Sequence, residues 1–361
     1  MPALRRAPGA APVGRPDDPR LVDRFGRVGT DLRVSLTDRC NLRCSYCMPE
    51  EGLEWMADDR LLTDDEIVRL ITLAVTRMGV EEVRFTGGEP LLRKGLEKIL
   101  AATTALRTHT GAVPQTAVTT NALGLERRAQ GLADAGLHRI NVSLDSLDRA
   151  RFARITKRDR LDDVLAGLRA ATDAGLAPVK VNTVLLRGVN DDEAVPLVTW
   201  ALEHGYELRF IEQMPLDPQG AWDRDAMVTA QEILEMLRAH YRLVPTGSAA
   251  RGAAPAETWV VENPPAGAPA TGRAPRVGIV ASVTRPFCGD CDRTRLTADG
   301  QVRNCLFARG ETDLRTLLRD GADDDTLAAA WRGDMWAKEA GHGIDDPSFL
   351  QPDRPMSAIG G

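Results

Sequence analysis

The pattern that most constrains this chain is a regular alternation of short apolar runs with amphipathic stretches between residues 31 and 211. Six strand-like runs fall at 31–36, 82–85, 116–120, 139–144, 179–184 and 207–211. Between them, apolar residues recur at helical spacing over about 64–78, 94–107, 125–135, 161–174 and 191–203. Thr63-Asp-Asp-Glu66 reads as a capping box opening the first helix. Gly79, Gly136, Gly175 and Gly205 each follow a helix, where a left-handed glycine commonly ends one. Regular βα alternation builds a parallel sheet with helices outside it, so the fold class expected is α/β. Six units are too few for a closed eight-stranded barrel. The expectation is an incomplete (β/α)6 TIM-type barrel, with an open doubly wound sheet as the alternative.

The strands carry an anomaly. Parallel strands buried on both faces should read as continuous apolar runs. Instead Arg33, Arg84, Arg139, Lys180 and Arg209 each sit inside a run. Side chains alternate faces along a strand. Arg33, Ser35 and Thr37 therefore share one face while Val34 and Leu36 share the other, and Arg139, Asn141 and Ser143 oppose Ile140, Val142 and Leu144. One face is basic and suits the lining of a ligand-filled space, with some of the cations pairing instead with Asp or Glu. In barrels of this kind the active site lies at the C-terminal ends of the strands. Gly87-Gly88-Glu89-Pro90, Thr119-Thr120-Asn121, Ser143-Leu144-Asp145, Asn182 and Glu212-Gln213-Met214 gather there. The glycine pair would let backbone approach a ligand closely. It is not a phosphate loop of the P-loop kind, because no Gly-Lys-Ser/Thr follows.

All six cysteines fall in two triplets, a grouping that disulfide pairing does not predict and two metal sites do. Cys40, Cys44 and Cys47 stand at C-x3-C-x2-C spacing. A four-iron cluster normally takes four thiolates, so three leave one iron open for a ligand. Structural zinc is the alternative, although zinc sites usually offer C-x2-C pairs and four ligands. Cys288 and Cys291 form such a pair, Cys305 follows, and no fourth cysteine is present. Zinc completed by a histidine stays open there, but His240 and His342 are remote in sequence. Arg293-Thr294-Arg295 lies beside this triplet and can take an anion bidentately; residues 296–300 read as a hairpin turn.

A chain of 361 residues suits one large domain or two smaller ones. Its net charge of −6 argues against general nucleic-acid binding, and its apolar runs are too short to span a bilayer. Residues 1–20 lack the apolar core of a secretory signal and read as a disordered tail. The expected location is the cytoplasm, where thiols stay reduced. The expected division is the tail at 1–20, a partial barrel at 21–220, a C-terminal domain at 221–345 carrying the second triplet, and a C-terminal tail at 346–361. Residues 247–275, rich in Ala, Pro and Gly, read as a loose loop broken by a strand at 258–261.

The first triplet, with Tyr46 just before its last cysteine, resembles the radical S-adenosylmethionine (SAM) enzymes. That resemblance implies a [4Fe-4S] cluster whose open iron is chelated by SAM, which is cleaved to methionine and a 5′-deoxyadenosyl radical. Carried over position by position, it implies that Tyr46, Gly88, Ser143 and Met214 contact SAM. A wider set of motifs resembles the GTP 3′,8-cyclases, which begin molybdenum cofactor biosynthesis. These are Asp38-Arg-Cys-Asn-Leu-Arg-Cys44-Ser-Tyr-Cys47-Met-Pro49, Thr86-Gly-Gly-Glu-Pro-Leu91, Phe210-Ile-Glu-Gln-Met-Pro215, Phe287-Cys-Gly-Asp-Cys-Asp-Arg-Thr-Arg-Leu296, Cys305-Leu-Phe307 and Ile359-Gly-Gly361. The resemblance spans residues 21–361. It implies a second [4Fe-4S] cluster on Cys288, Cys291 and Cys305 that holds GTP through its guanine. It also implies GTP contacts at Arg33, Arg84, Thr119, Lys180, Arg293, Thr294 and Arg295.

The implied reaction removes the C3′ hydrogen of GTP and joins C3′ to guanine C8. Its product is (8S)-3′,8-cyclo-7,8-dihydroguanosine 5′-triphosphate, passed to cyclic pyranopterin monophosphate synthase. An electron donor is required, and a homodimer is compatible with the reading. The terminal Gly360 and Gly361 are implied to reach into the active site and act there. The alternatives are a radical SAM enzyme of another branch and a non-enzymatic iron–sulfur electron carrier.

Overall fold

The computed structural model describes residues 4–6, 14–217 and 220–360. Its strands are β1 (Leu4–Arg6), β2 (Asp31–Ser35), β3 (Glu82–Thr86), β4 (Gln115–Thr120), β5 (Arg139–Ser143), β6 (Val179–Val184) and β7 (Glu207–Ile211), followed by β8 (Leu243–Pro245), β9 (Glu257–Val261), β10 (Arg276–Val280), β11 (Arg293–Leu296), β12 (Gln301–Arg303) and β13 (Gly310–Asp313). They form one sheet in the order β1-β13-β12-β11-β2-β3-β4-β5-β6-β7-β10-β9-β8. The six strands expected from the sequence are β2 to β7, side by side in chain order and all parallel. The fold is α/β with a mixed sheet, because the later strands add antiparallel pairs at both ends.

Those later strands bracket the parallel set. β10 runs parallel to β7 at one edge, and β11 runs parallel to β2 at the other. The segment 281–292 therefore passes from one edge of the six-stranded unit to the other, carrying Cys288 and Cys291 with it. One continuous sheet joins residues on both sides of the division expected near residue 220.

The apolar face of β2–β7 meets the helices. Val34, Phe85, Val118, Val142, Val181 and Phe210 are wholly buried. The helix Asp64–Arg77 lays Ile67, Leu70, Ile71 and Ala74 into this core at helical spacing. Each such aliphatic side chain contributes about 1.5–3 kcal/mol of burial. Its capping box forms as read, with Thr63 Oγ1 accepting from the Glu66 amide and Glu66 Oε2 accepting from the Thr63 amide at 2.7 Å.

Several boundaries differ. The helix expected over 125–135 is a short 3-10 turn, Leu125–Arg127, and a helix Ala129–Asp134. The break falls at Arg128, whose guanidinium reaches the Leu91 and Arg93 carbonyls and Glu97. A helix at Arg149–Thr156, capped by the Asp148 carboxylate, was not expected; its sequence offers few apolar positions beyond Phe152 and Ile155. The 247–275 stretch holds a helix, Ser248–Arg251, and all of β9.

The first twenty residues are a partial correction. Residues 1–3 and 7–13 lie outside the described residues, but Leu4–Arg6 forms β1 and pairs in parallel with Gly310–Thr312. An uncovered β13 edge offers backbone donors and acceptors that any sequence can pair with, so composition did not announce this strand.

Candidate functional site

The first cysteine loop hangs between two backbones. The Gly88 amide donates to the Thr37 carbonyl and the Glu89 amide to the Arg39 carbonyl, each at 2.8 Å. On the other side the Arg43 and Ser45 amides donate to the Thr156 and Ile155 carbonyls, at the end of the unexpected helix. Gly87 has φ +136°, and a Cβ there would lie 2.4 Å from the Thr37 carbonyl oxygen; one on Gly88 would lie 2.3 Å from that of Arg39. The glycine pair was expected to admit a ligand. Its tightest requirement is instead the docking of the cysteine loop, although Gly88 also faces the cavity below it.

Around this loop the polar groups are buried and paired. Glu89 accepts from the Leu91 amide at 2.9 Å, Thr120 Oγ1 at 2.7 Å and the Asn121 amide at 2.7 Å, which ties β3 to β4; burial pushes its carboxyl up to about 7. Asn121 Nδ2 donates to Asn41 Oδ1 at 2.7 Å and approaches Cys40 Sγ at 3.8 Å. The Tyr46 hydroxyl donates to Asp145 Oδ2 at 2.8 Å, while Asp145 Oδ1 accepts from the Val184 amide. Burial pushes the Cys40 thiol up to about 11 and the Cys47 thiol to about 12. Cys44 rises well above the ordinary thiol range through burial and then through Asp145.

A cavity lies here. Cys40, Cys44, Cys47, Tyr46, Gly88, Ser143 and Met214 line it, so each residue expected at the SAM site from the first triplet onward meets there. Met356 and Ser357 from the C-terminal stretch line it too, which no local pattern announced. A second cavity is lined by Cys288, Cys291, Cys305, Arg33, Arg84, Thr119, Arg293 and Arg295. Thr119, Asn182, Ile211 and Met214 wall both cavities, so they are neighbours.

The basic face forms the floor of the second cavity. Arg295, Arg33 and Arg84 are register neighbours on β11, β2 and β3. Carboxylates two residues upstream share that face: Arg33 pairs with Asp31 at 3.1 Å, Arg84 with Glu82 at 2.9 Å and Arg209 with Glu207 at 2.6 Å. Arg139 also pairs with Glu82, and Arg293 stands 3.7 Å from Asp31. Three carboxylates thus serve Arg33, Arg84, Arg139, Arg209 and Arg293, with Lys180 and Arg295 in addition. Cation crowding shows in the titration. Burial, then Arg33, lowers Arg84 and Arg295 each to about 9. Burial, then Arg209, lowers Lys180 to about 8. The Nε atoms of Arg33, Arg84 and Arg293 are buried without a hydrogen-bond partner. Guanidinium donors left without partners around a cavity are what an anionic ligand would satisfy.

Two expected substrate positions stand apart. Lys180 is absent from the cavity wall proper; it lies one step below Asn182 on β6, beside Glu207. Thr294 turns its hydroxyl to the opposite face of β11, where it accepts from Trp331 Nε1 at 2.9 Å, because it alternates with Arg293 and Arg295. The C-terminal stretch reaches the site. Gly360 accepts a hydrogen bond from Arg295 on its carbonyl, and a Cβ there would meet Ser35 Oγ at 2.3 Å and Thr86 Cγ2 at 2.8 Å. Gly361 lies outside the described residues. Arg354 holds this stretch by pairing with Asp299 and Glu311 at 2.9 Å and 2.8 Å.

His342 is remote in sequence from the second triplet but lines the same cavity, its ring 5.1 Å from that of Phe307. Both ring nitrogens are engaged, Nε2 with the Ser282 carbonyl at 3.0 Å and Nδ1 with the Ile344 amide at 3.1 Å. Among the described residues no three His, Cys, Asp or Glu side chains converge to hold a single metal ion.

Comparison with known proteins agrees with this arrangement. Residues 34–201 match the family described as the radical SAM superfamily, and residues 206–344 match Molybdenum Cofactor Synthesis C. The chain is 62% identical over 341 residues to a GTP 3′,8-cyclase of Streptomyces coelicolor, covering 94% of this chain and 96% of the relative. It is 58% identical over 364 residues to a GTP 3′,8-cyclase of Mycolicibacterium smegmatis, covering 100% of this chain and 98% of that one. Among solved structures, Streptococcus suis SuiB matches with TM-score 0.54 at 14% identity, over 88% of this chain and 68% of SuiB, a likeness of fold. With near-full-length identity at this level, and with both triplets set in adjoining cavities, the chain belongs to the GTP 3′,8-cyclase family of radical SAM enzymes.

Proposed function

We propose that the protein converts GTP to (8S)-3′,8-cyclo-7,8-dihydroguanosine 5′-triphosphate, the first step of molybdenum cofactor biosynthesis. The observation that carries this reading is the pair of adjoining cavities, each walled by one cysteine triplet and sharing Thr119, Asn182, Ile211 and Met214. Three thiols without a fourth fit a four-iron cluster with one open iron at each end. His342, with both nitrogens engaged, is not poised to complete a zinc site. We read residues 21–220 as an incomplete (β/α)6 barrel and 221–345 as the substrate-cluster region. The wall shared by every strand from β2 to β7, with β10 and β11 closing in from both edges, supports that reading.

In this reading Cys40, Cys44 and Cys47 hold one cluster, and Tyr46, Gly88, Ser143 and Met214 hold SAM. Cys288, Cys291 and Cys305 hold the second cluster. Arg33, Arg84 and Arg293, with their open donors, and Arg295 take the polyanionic part of GTP, with Thr119 beside them and Lys180 beneath. When bound, SAM and its cluster supply the radical that takes the C3′ hydrogen. The chain's own work is to hold C3′ near SAM and C8 near C3′, and to keep water out. Met214 and Ile211, on the shared wall, sit where the two ligands would meet. Gly360 admits the tail beside Ser35 and Thr86. The reading also implies a cytoplasmic protein with an external electron donor, handing its product to cyclic pyranopterin monophosphate synthase.

Anaerobic reconstitution followed by SAM, reductant and GTP tests the proposal. It expects 5′-deoxyadenosine formation that depends on GTP and a cyclised nucleotide in matching amount. Deoxyadenosine formed at the same rate without GTP, or no nucleotide product, would overturn it.

A further inference from the structure

The stretch after the helix Asp324–Trp336 places an ammonium against the second triplet. Lys338 is 2% exposed. Its Nζ donates to the Arg293 carbonyl at 2.8 Å and the Cys291 carbonyl at 3.0 Å, and lies 3.5 Å from Cys291 Sγ. An ammonium has three donors and no acceptor, so these three partners complete its hydrogen bonding. Among the described residues no carboxylate forms an ion pair with it. Buried charges are ordinarily paired, and the only anionic atom among the three partners is the Cys291 sulfur.

At the first triplet the side-chain nitrogen beside a cysteine sulfur is neutral: Asn121 Nδ2 stands 3.8 Å from Cys40 Sγ.

We propose that Lys338 is a positioning residue for the second cluster: its buried ammonium is the counter-charge to Cys291 and raises that cluster's reduction potential. It also fixes the Cys291–Arg293 turn through both carbonyls, which aims Arg293 into the substrate cavity. The proposal rests on the two-cluster reading above. A fixed positive charge favours the state carrying one more electron, so removing it lowers the potential. Hydrogen bonds to cluster sulfurs and net charge are recognised means of tuning such clusters.

The test uses the full chain with Cys40, Cys44 and Cys47 all changed to Ala, so that only the second site can hold iron. Iron content, the electron paramagnetic resonance signal of the reduced cluster and its midpoint potential are measured with Lys338 intact, with Lys338→Met and with Lys338→Arg. Lys338→Met should retain the chain's circular dichroism spectrum. It should also lower the equilibrium constant for reduction at least tenfold, about 59 mV for one electron, or lose the iron outright. Lys338→Arg should restore most of either loss, because it keeps the charge. An equilibrium constant for reduction unchanged within threefold in Lys338→Met, or equal iron loss in both variants of a folded protein, overturns the proposal. Absence of iron with Lys338 intact instead overturns the two-cluster reading on which it rests.

Discussion

Gly360→Ala is the sharpest test of the C-terminal stretch. Gly360 sits at φ +81° and ψ 110°, in backbone space that side chains other than hydrogen rarely enter. Holding alanine there costs about 1–3 kcal/mol. The new Cβ would also stand 2.3 Å from Ser35 Oγ and 2.8 Å from Thr86 Cγ2. The serine hydroxyl can rotate away, so the methyl of Thr86 and the dihedral strain carry most of the penalty. If the tail lifts out, the bond from Arg295 to the Gly360 carbonyl goes with it. A hydrogen bond to a charged group contributes about 1.5–3 kcal/mol. That bond is there with glycine or alanine and resists lifting, so the strain alone sets the change: about 1–3 kcal/mol shifts the tail from seated to lifted by roughly 5- to 150-fold. The assay measures cyclised nucleotide, 5′-deoxyadenosine and GTP affinity in one preparation. Cyclised product should fall about fivefold or more, while GTP affinity stays within a few-fold. Ser35→Gly in the same chain should recover only a minor part, because the dihedral strain remains. Product within threefold of the unsubstituted protein would refute the reasoning and leave Gly360 a passive terminus.

The cysteine triplets should separate in function: Cys44→Ser abolishes SAM cleavage, whereas Cys291→Ser keeps slow cleavage that GTP no longer stimulates, and identical behaviour of the two would contradict the division. Arg84→Ala, which removes a buried donor with an open Nε, should weaken GTP binding roughly 10- to 150-fold and leave SAM binding intact; equilibrium binding of both ligands checks it. The lowered Lys180 value sets a pH dependence. An ammonium held at about 8 in the free protein loses its charge as pH rises through 8, and an anionic ligand favours the charged form. GTP affinity should therefore decline above pH 8 with proton uptake on binding, seen by calorimetry in buffers of different ionisation heat, and Lys180→Arg should remove the decline. For the fold alone the sign is opposite. A folded value below the unfolded one penalises the charged form below pH 8, and that penalty is relieved as pH rises from 8 toward the ordinary lysine value.

The elements of the parallel unit were legible because their signals are local. Helical spacing in 64–78, the Thr63–Glu66 capping box and the alternation of Arg33 with Val34 each depend on residues a turn or a pleat apart. The same alternation exposed the basic face, and spacing grouped the six cysteines. At Thr294 the same alternation turns the hydroxyl toward Trp331 and away from the cavity that Arg293 and Arg295 line. Sheet order was decided by the tertiary structure. Nothing local says that β10 joins β7 while β11, thirteen residues after β10 ends, joins β2. Pairing of strands is a matter of backbone groups that all residues share, so composition does not choose the edge. That closure in turn sets the distant neighbours: Lys338 against Cys291, His342 against Phe307, and Gly360 against Ser35 and Thr86. Each joins residues brought together by the global path of the chain. The sequence by itself determined the basic and apolar faces of the strands and the grouping of the cysteines, because these depend on local spacing; the tertiary structure decided which residues meet around the cavities, because that depends on the path of the whole chain.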